Sequence, residues 1–290
     1  MANEKLMKGD VVPFAKNMKR LVNQREFSDI KFIVGEGRRN IYAHRCILAS
    51  RCEVFRAMFA DQNNEKDIPF VMSETDPEVF VLLLEFIYTN CVTLHGKTAV
   101  DVLASAIEYG LDELRRLCIQ YLVENLSMNT ACEAIQAAVT YGQDDLKQKT
   151  LAFIEKHTKD VFKTRGFQEL SEKSLCVVLQ SNKLTLDELD VLAAVKDWAA
   201  VSSAVSGDPV QKVIRPVIRL VRLALLSPEE LQQVEKDHEK QQLITMALIS
   251  YAWKFHALHT SEKGNLLTTL RKGTKARNTH QGLTPWDKAS

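Results

Sequence analysis

The sequence predicts an α+β amino-terminal domain, a small sheet with helical hairpins, followed by an all-α helical domain. Three observations lead there. Apolar residues alternate with a period of two on both sides of a glycine turn between Ile30 and Ala43. From Arg45 their spacing lengthens to three, four and seven, and after Ser127 no further strand pattern returns. The 290 residues leave room for about two domains of ordinary size. With 46% apolar and 26% charged residues, the chain has the balance of one that buries a core.

Each element has its own signal. Val12, Phe14, Met18, Leu21 and Val22 fall mostly on one helical face, and Pro13 stands near the start, where a missing N–H is harmless. A leading helix with such a face needs a partner. Ile30, Phe32 and Val34 mark a half-buried strand, Gly35 and Gly37 a turn, and Asn40 to Ala43 a second strand, so a hairpin is expected. A helix follows from Arg45, carrying Leu48, Val54, Phe55, Met58 and Phe59. The polar loop 60–67 leads to an apolar strand at Ile68 to Met72. Asp76 then caps a helix with Pro77 at its first position and Phe80, Leu83, Leu84 and Ile87 along it.

A helix through Val100, Leu103, Ala104 and Ile107 stops at Gly110, and one through Leu114, Leu117, Cys118, Tyr121 and Leu122 closes the first domain near Leu126. Beyond it only amphipathic helices and short turns are expected. Thr185 to Glu188 and Ser227 to Glu230 both read as capping boxes that open helices.

The formal charge of +1 gives no global attraction to nucleic acid or to an anionic membrane, and neither partner is predicted. The amino terminus lacks the apolar core of a signal peptide, and the run Val79 to Ile87 is short and interrupted by Glu85, so no membrane span is expected. Cysteines 46, 52, 91, 118, 132 and 176 show no C-x-x-C spacing, which fits reduced thiols in the cytoplasm or nucleus.

No cofactor is predicted. His44, Cys46 and Cys52 could ligate zinc, but six residues on one helix turn Cys52 about 240° from Cys46. Gly35-Glu36-Gly37 lacks the third glycine and the following helix of a phosphate loop. His256 and His259 have no third ligand nearby, and Cys52 beside Arg51 reads as a core thiol before an oxidant sensor. No motif assembles a nucleophile, a base and an oxyanion donor, so the chain is not expected to be an enzyme.

A resemblance to a known family rests on many fixed positions. Phe27-Ser28-Asp29, the alternating strand, Ala43-His44-Arg45, Ile47-Leu48-Ala49, Val54-Phe55, Met58-Phe59 and Phe86-Ile87-Tyr88-Thr89 resemble the BTB/POZ pattern over residues 10–126. Residues 127–258 resemble the BACK domain through Ala138-x-x-Tyr141-Gly142, Phe167-x-x-Leu170-Ser171, Ser181-x-Lys183-Leu184, Ala194-Val195-x-x-Trp198, Val221 to Pro228, and Ala252-x-x-Phe255-His256. No Kelch-like blade repeat follows. Residues 259–290 are rich in Lys and Arg and poor in apolar residues, and read as a disordered basic tail.

A homodimer is expected whose interface takes in Phe14, Met18, Leu21 and Val22, because the compact first domain does not need their apolar face, and the resemblance implies that Asp29 is buried near the dimer centre beside Arg45. It also implies an adaptor that brings an unidentified client protein to a cullin-3 ubiquitin ligase. The cullin face would be formed by Met58, Phe59, Asn63, Glu65 and Tyr88 and extended by the helices of residues 129–156. Here the chain departs from the family, because Asn63 stands where an apolar anchor is usual. A homo-oligomeric scaffold without a ligase role is the alternative. Transcriptional repression is disfavoured by the absence of zinc-finger spacing.

Overall fold

The computed structural model describes residues 7, 9–60, 69–258, 265–280, 283 and 285–286. It divides into two compact units, Met1–Asn125 and Leu126–Ser290.

The first unit opens with helix α1 (Val11–Lys19), started by the Asp10 carboxylate, which accepts from the Val12 N–H. Strands β1 (Ile30–Val34) and β2 (Arg39–Ala43) form the expected hairpin, Phe32 opposite Ile41. Gly35 makes the turn possible: its φ of +74° is in the left-handed region, and a Cβ there would sit 3.0 Å from the Pro77 ring. Two helices follow, α2 (Arg45–Arg51) and α3 (Glu53–Ala60), and then β3 (Phe70–Met72), parallel to β1 in a sheet ordered β2-β1-β3. Helices α4 (Pro77–Thr89), α5 (Ala99–Glu108) and α6 (Asp112–Glu124) complete the unit.

The single helix expected from Arg45 is therefore two. Cys52 adopts an extended backbone and turns its thiol inward, where Sγ donates to the Tyr109 carbonyl at 3.2 Å. Leu48 on α2 and Phe55 on α3 are both buried, and their separation of seven is that of one continuous helix, so spacing does not reveal the break. The core is aromatic: Phe32 meets Phe80 and Phe55 edge-on at 5.0 and 5.8 Å, and Phe55 stacks on Tyr109 at 4.9 Å.

The second unit is helical: α7 (Ala131–Thr140), α8 (Asp144–Lys156), α9 (Thr158–Val161), α10 (Arg165–Gln168), α11 (Glu172–Gln180), α12 (Glu188–Ser206), α13 (Val210–Ile218), α14 (Pro228–Gln241) and α15 (Met246–Leu258). Single 3-10 turns lie at Leu223–Leu225, Leu266–Thr268 and Asn278–His280. Trp198 of α12 is buried at the centre and donates its indole N–H to the Leu170 carbonyl at 2.8 Å, so this large side chain brings no unpaired donor into the core.

One of the two expected capping boxes forms. Ser227 and Glu230 cap α14 reciprocally, but α12 is started by Asp187, whose carboxylate accepts from the Leu189 N–H. Thr185 is not the cap, and Glu188 is drawn into the interior instead.

The expectation of a disordered tail does not hold for residues 265–280. They lie along the second unit as an extended strap: Lys272 and Gly273 donate backbone N–H groups to the carbonyls of Asn182 and Leu184, each at 2.9 Å. Arg271 is fully buried on Glu188 at 2.6 Å, with neither side chain exposed. Composition suggests a solvated basic segment because it counts charges without showing that their counter-charges lie 47 to 90 residues upstream.

Candidate protein-interaction surfaces

In the first unit the residues expected to act together fall into three settings. Around the start of α2, Asp29 Oδ1 accepts the Arg45 backbone N–H at 2.7 Å and so satisfies one of the orphan donors of that helix. Asp29 is exposed in the single chain; the burial expected of it is that of a dimer centre. The Arg45 guanidinium lies over the Phe59 ring, 4.9 Å from its centroid.

Behind these residues sit His44 and Tyr88. The Tyr88 hydroxyl accepts the His44 backbone N–H at 2.8 Å and lies 2.9 Å from His44 Nδ1. Burial pushes the Tyr88 phenol well above its ordinary range, opposed by the His44 amide and helped by the charge of Asp29. It therefore stays protonated. Tyr88 is only 4% exposed, so it cannot serve as the cullin contact expected of it; its place at the end of α4 is as expected, but its side faces inward. Met58 and Phe59 are half-buried, and Phe59 packs on Phe55 and Phe70 at 5.9 and 5.8 Å. Asn63, Asn64 and Glu65 lie outside the described residues.

The third setting is α1. None of its residues is buried; Val11, Val12 and Phe14 are exposed, Phe14 to 61%, while Met18 and, just past the helix end, Leu21 and Val22 are half-buried. The helix runs against α4, tied by Lys19 and Glu85 at 2.6 Å. Its outer apolar side has no partner among the described residues.

The metal and redox candidates do not come together. Cys46 is exposed, Cys52 is buried on Tyr109, and His44 is engaged with Tyr88. No three His, Cys, Asp or Glu side chains among the described residues could hold a metal, and no helix there is long and apolar enough to cross a membrane. His259, the suggested companion of the half-buried His256, lies outside the described residues.

The second unit holds a feature that sequence reasoning missed: a polar slot under the strap. Arg277 is bidentate to Asp187, at 2.8 and 2.9 Å, and also to Glu230, at 2.6 and 3.0 Å. Burial alone would raise both carboxyls, but the hydrogen bonds and charge of Arg277, with backbone N–H donors, outweigh it and hold both below the usual carboxylate range. Deeper in, Arg271 donates to Glu188 and to the carbonyls of Leu179, Ser181 and Leu220. Arg222 reaches the Thr269 carbonyl at 2.7 Å and Asn182 Oδ1 at 2.6 Å. Burial, then the neighbouring Arg271, lowers its guanidinium pKa while Glu188 raises it. Three cations thus meet three carboxylates. The sequence signal for it was slight, Gly273 standing between two arginines, since an acidic pair at a helix start such as Asp187-Glu188 recurs at α6 and α8.

Comparison with known proteins accounts for this architecture. The BTB/POZ domain family matches residues 18–126, and the BACK family, described as BTB and C-terminal Kelch, matches residues 131–236. BTB/POZ domain-containing protein 19 of Bos taurus is 42% identical over 277 residues, 95% of each chain, and so is its Homo sapiens counterpart. BTB/POZ domain-containing protein 9 of Drosophila melanogaster is 32% identical over 227 residues, 76% of this chain and 30% of that protein.

Proposed function

Because the chain belongs to the family of proteins that join a BTB/POZ domain to a BACK domain, we propose that it is a protein-interaction adaptor that pairs with a second copy of itself and brings a client protein to a cullin-3 ubiquitin ligase. The observation that carries the pairing is α1, a helix with no buried residue and an outward row of Val11, Val12 and Phe14. Apolar area left in water in one chain is removed when two identical faces meet, and isologous pairing is the common solution. Phe27 supports it: a bulky apolar residue at φ +62°, a conformation that costs backbone strain, is 80% exposed in the single chain.

Cullin recruitment rests on family membership and on the sequence pattern through Met58-Phe59. Asn63 favours a second reading, a homo-oligomeric scaffold without a ligase, because a polar side chain stands where the family's apolar anchor is expected. Isolation of the tagged protein from cells decides between them. Cullin-3 should co-isolate with it; a dimer that never brings cullin-3 would support the scaffold. The adaptor operates in the cytoplasm or nucleus on this reading.

A further inference from the structure

We infer that the slot under the strap is a peptide-binding site, filled in this chain by its own residues 265–280. Its ligand class is an extended peptide carrying arginine, then glycine two residues on, then arginine four residues later, as at Arg271, Gly273 and Arg277.

The receptor side is anchored by the second unit's own helices. The Asp187 carboxylate is fixed by the Leu189 N–H at the start of α12, and Glu188 Oε2 takes the Arg222 backbone N–H at 2.9 Å. Glu230 is held by the Ser227 N–H at 2.7 Å in the capping box of α14. Each carboxylate has an anchor that does not depend on the strap, so the site is pre-organised for a cationic ligand.

The strap, for its part, is held as a bound peptide is held. Its fully buried residues are Thr268, Thr269 and Arg271, whereas Leu266, Leu267 and Leu270 are only half-buried. Attachment therefore comes mainly from charge-assisted and backbone hydrogen bonds.

Three features set the specificity. Arg271 donates in a planar fork to Glu188 and three carbonyls, a pattern that lysine cannot reproduce. Gly273 passes so near the loop before α12 that a Cβ would lie 2.2 Å from Leu186 N and Thr185 C. Arg277 spans Asp187 and Glu230. Without Arg271 and Arg277, Asp187 and Glu230 would lose the guanidinium that pairs them, and Glu188 would be a buried charge without the one it bonds to. The site therefore works by exchange of one arginine peptide for another. A tethered segment competes at an effective concentration on the order of millimolar, so an outside peptide enters only when the strap is weakened.

The test uses the full chain carrying Arg271→Ala and Arg277→Ala, with a fluorescein-labelled synthetic peptide of residues 265–280 followed by anisotropy. The double variant should bind the peptide at least about tenfold more tightly than the wild type, whose site is filled in cis. A peptide with valine in place of the glycine, or with both arginines replaced by lysine, should lose most of that binding. Equal binding by wild type and variant, or by the altered peptides, would reduce the effect to non-specific charge attraction and overturn the inference, as would no binding to a folded variant. Should the variant fail to fold alone, refolding with the peptide present is the readout: recovery of a cooperative melt supports the site, and none overturns it. Neither outcome depends on dimerisation or on cullin-3.

Discussion

Replacing Arg271 by Ala removes one partner of an ion pair in which neither side chain is exposed. Stranding a buried charge in this way costs about 3–5 kcal/mol. The carbonyls of Leu179, Ser181 and Leu220 lose a donor as well, so the upper part of that range is expected. For a domain of this size each kcal/mol lowers Tm by about 2–4 °C, so Arg271→Ala should bring down the melt of the BACK unit by about 8–20 °C. The assay is thermal denaturation of wild type, Arg271→Ala, Glu188→Ala and the double variant. The two single losses should add to more than the double loss, because the second substitution removes the charge that the first one strands. Arg165→Ala is the control: it breaks an ion pair with Glu169 whose members are 88% and 54% exposed, and should leave the melt unchanged. If Arg271→Ala melts like that control, the strap is not docked as described and the argument built on it fails.

Asp29→Ala should cost about 1 kcal/mol in chemical denaturation, the usual worth of a side chain that satisfies a helix-start N–H; no change would show that this bond contributes nothing. Phe14→Asp places a charge on the outer face of α1 and should halve the mass seen by light scattering, from twice 32.8 kDa to one chain, without disturbing the fold. A variant that stays dimeric would move the interface elsewhere. Asp187 and Glu230 bind protons more weakly in the folded chain than in the unfolded one, so the stability they contribute is complete above the ordinary carboxylate pKa values, about 3.9 and 4.3. It is lost as pH falls through the lower folded values. Denaturation midpoints should therefore hold steady from pH 7 to about 5 and decline below about 4, with a shallower decline in Arg277→Ala; identical acid profiles would remove Arg277 as the cause.

Periodicity made most of the architecture legible. Period-two alternation located the hairpin, and the N-cap followed by proline at Asp76-Pro77 located the start of α4, because both signals are written within a few neighbouring residues. The break at Cys52 was hidden because a single extended residue leaves the apolar spacing intact. Tyr88 was placed on the right helix, but the pattern of fixed residues does not state which way a hydroxyl turns, and its bond to His44 is 44 residues distant. Glu188 looked like the last member of a capping box; its actual partner, Arg271, lies 83 residues downstream, and the two meet only once α11, α12 and the strap are packed. The strap was the largest miss for the same reason. Lysine and arginine content argues for solvation unless long-range carboxylates are known, and one sequence does not display pairings between distant positions.

Titration calorimetry of the wild type and Asn63→Leu against cullin-3 tests the proposed adaptor role of this BTB–BACK chain most directly. Burial of an aliphatic side chain contributes about 1.5–3 kcal/mol, so a polar anchor should weaken binding by about one to two orders of magnitude without abolishing it. The wild type should bind measurably, and Asn63→Leu about 10–100-fold more tightly. No heat of binding from either protein, with both still dimeric, would contradict the adaptor role and leave the scaffold as the function.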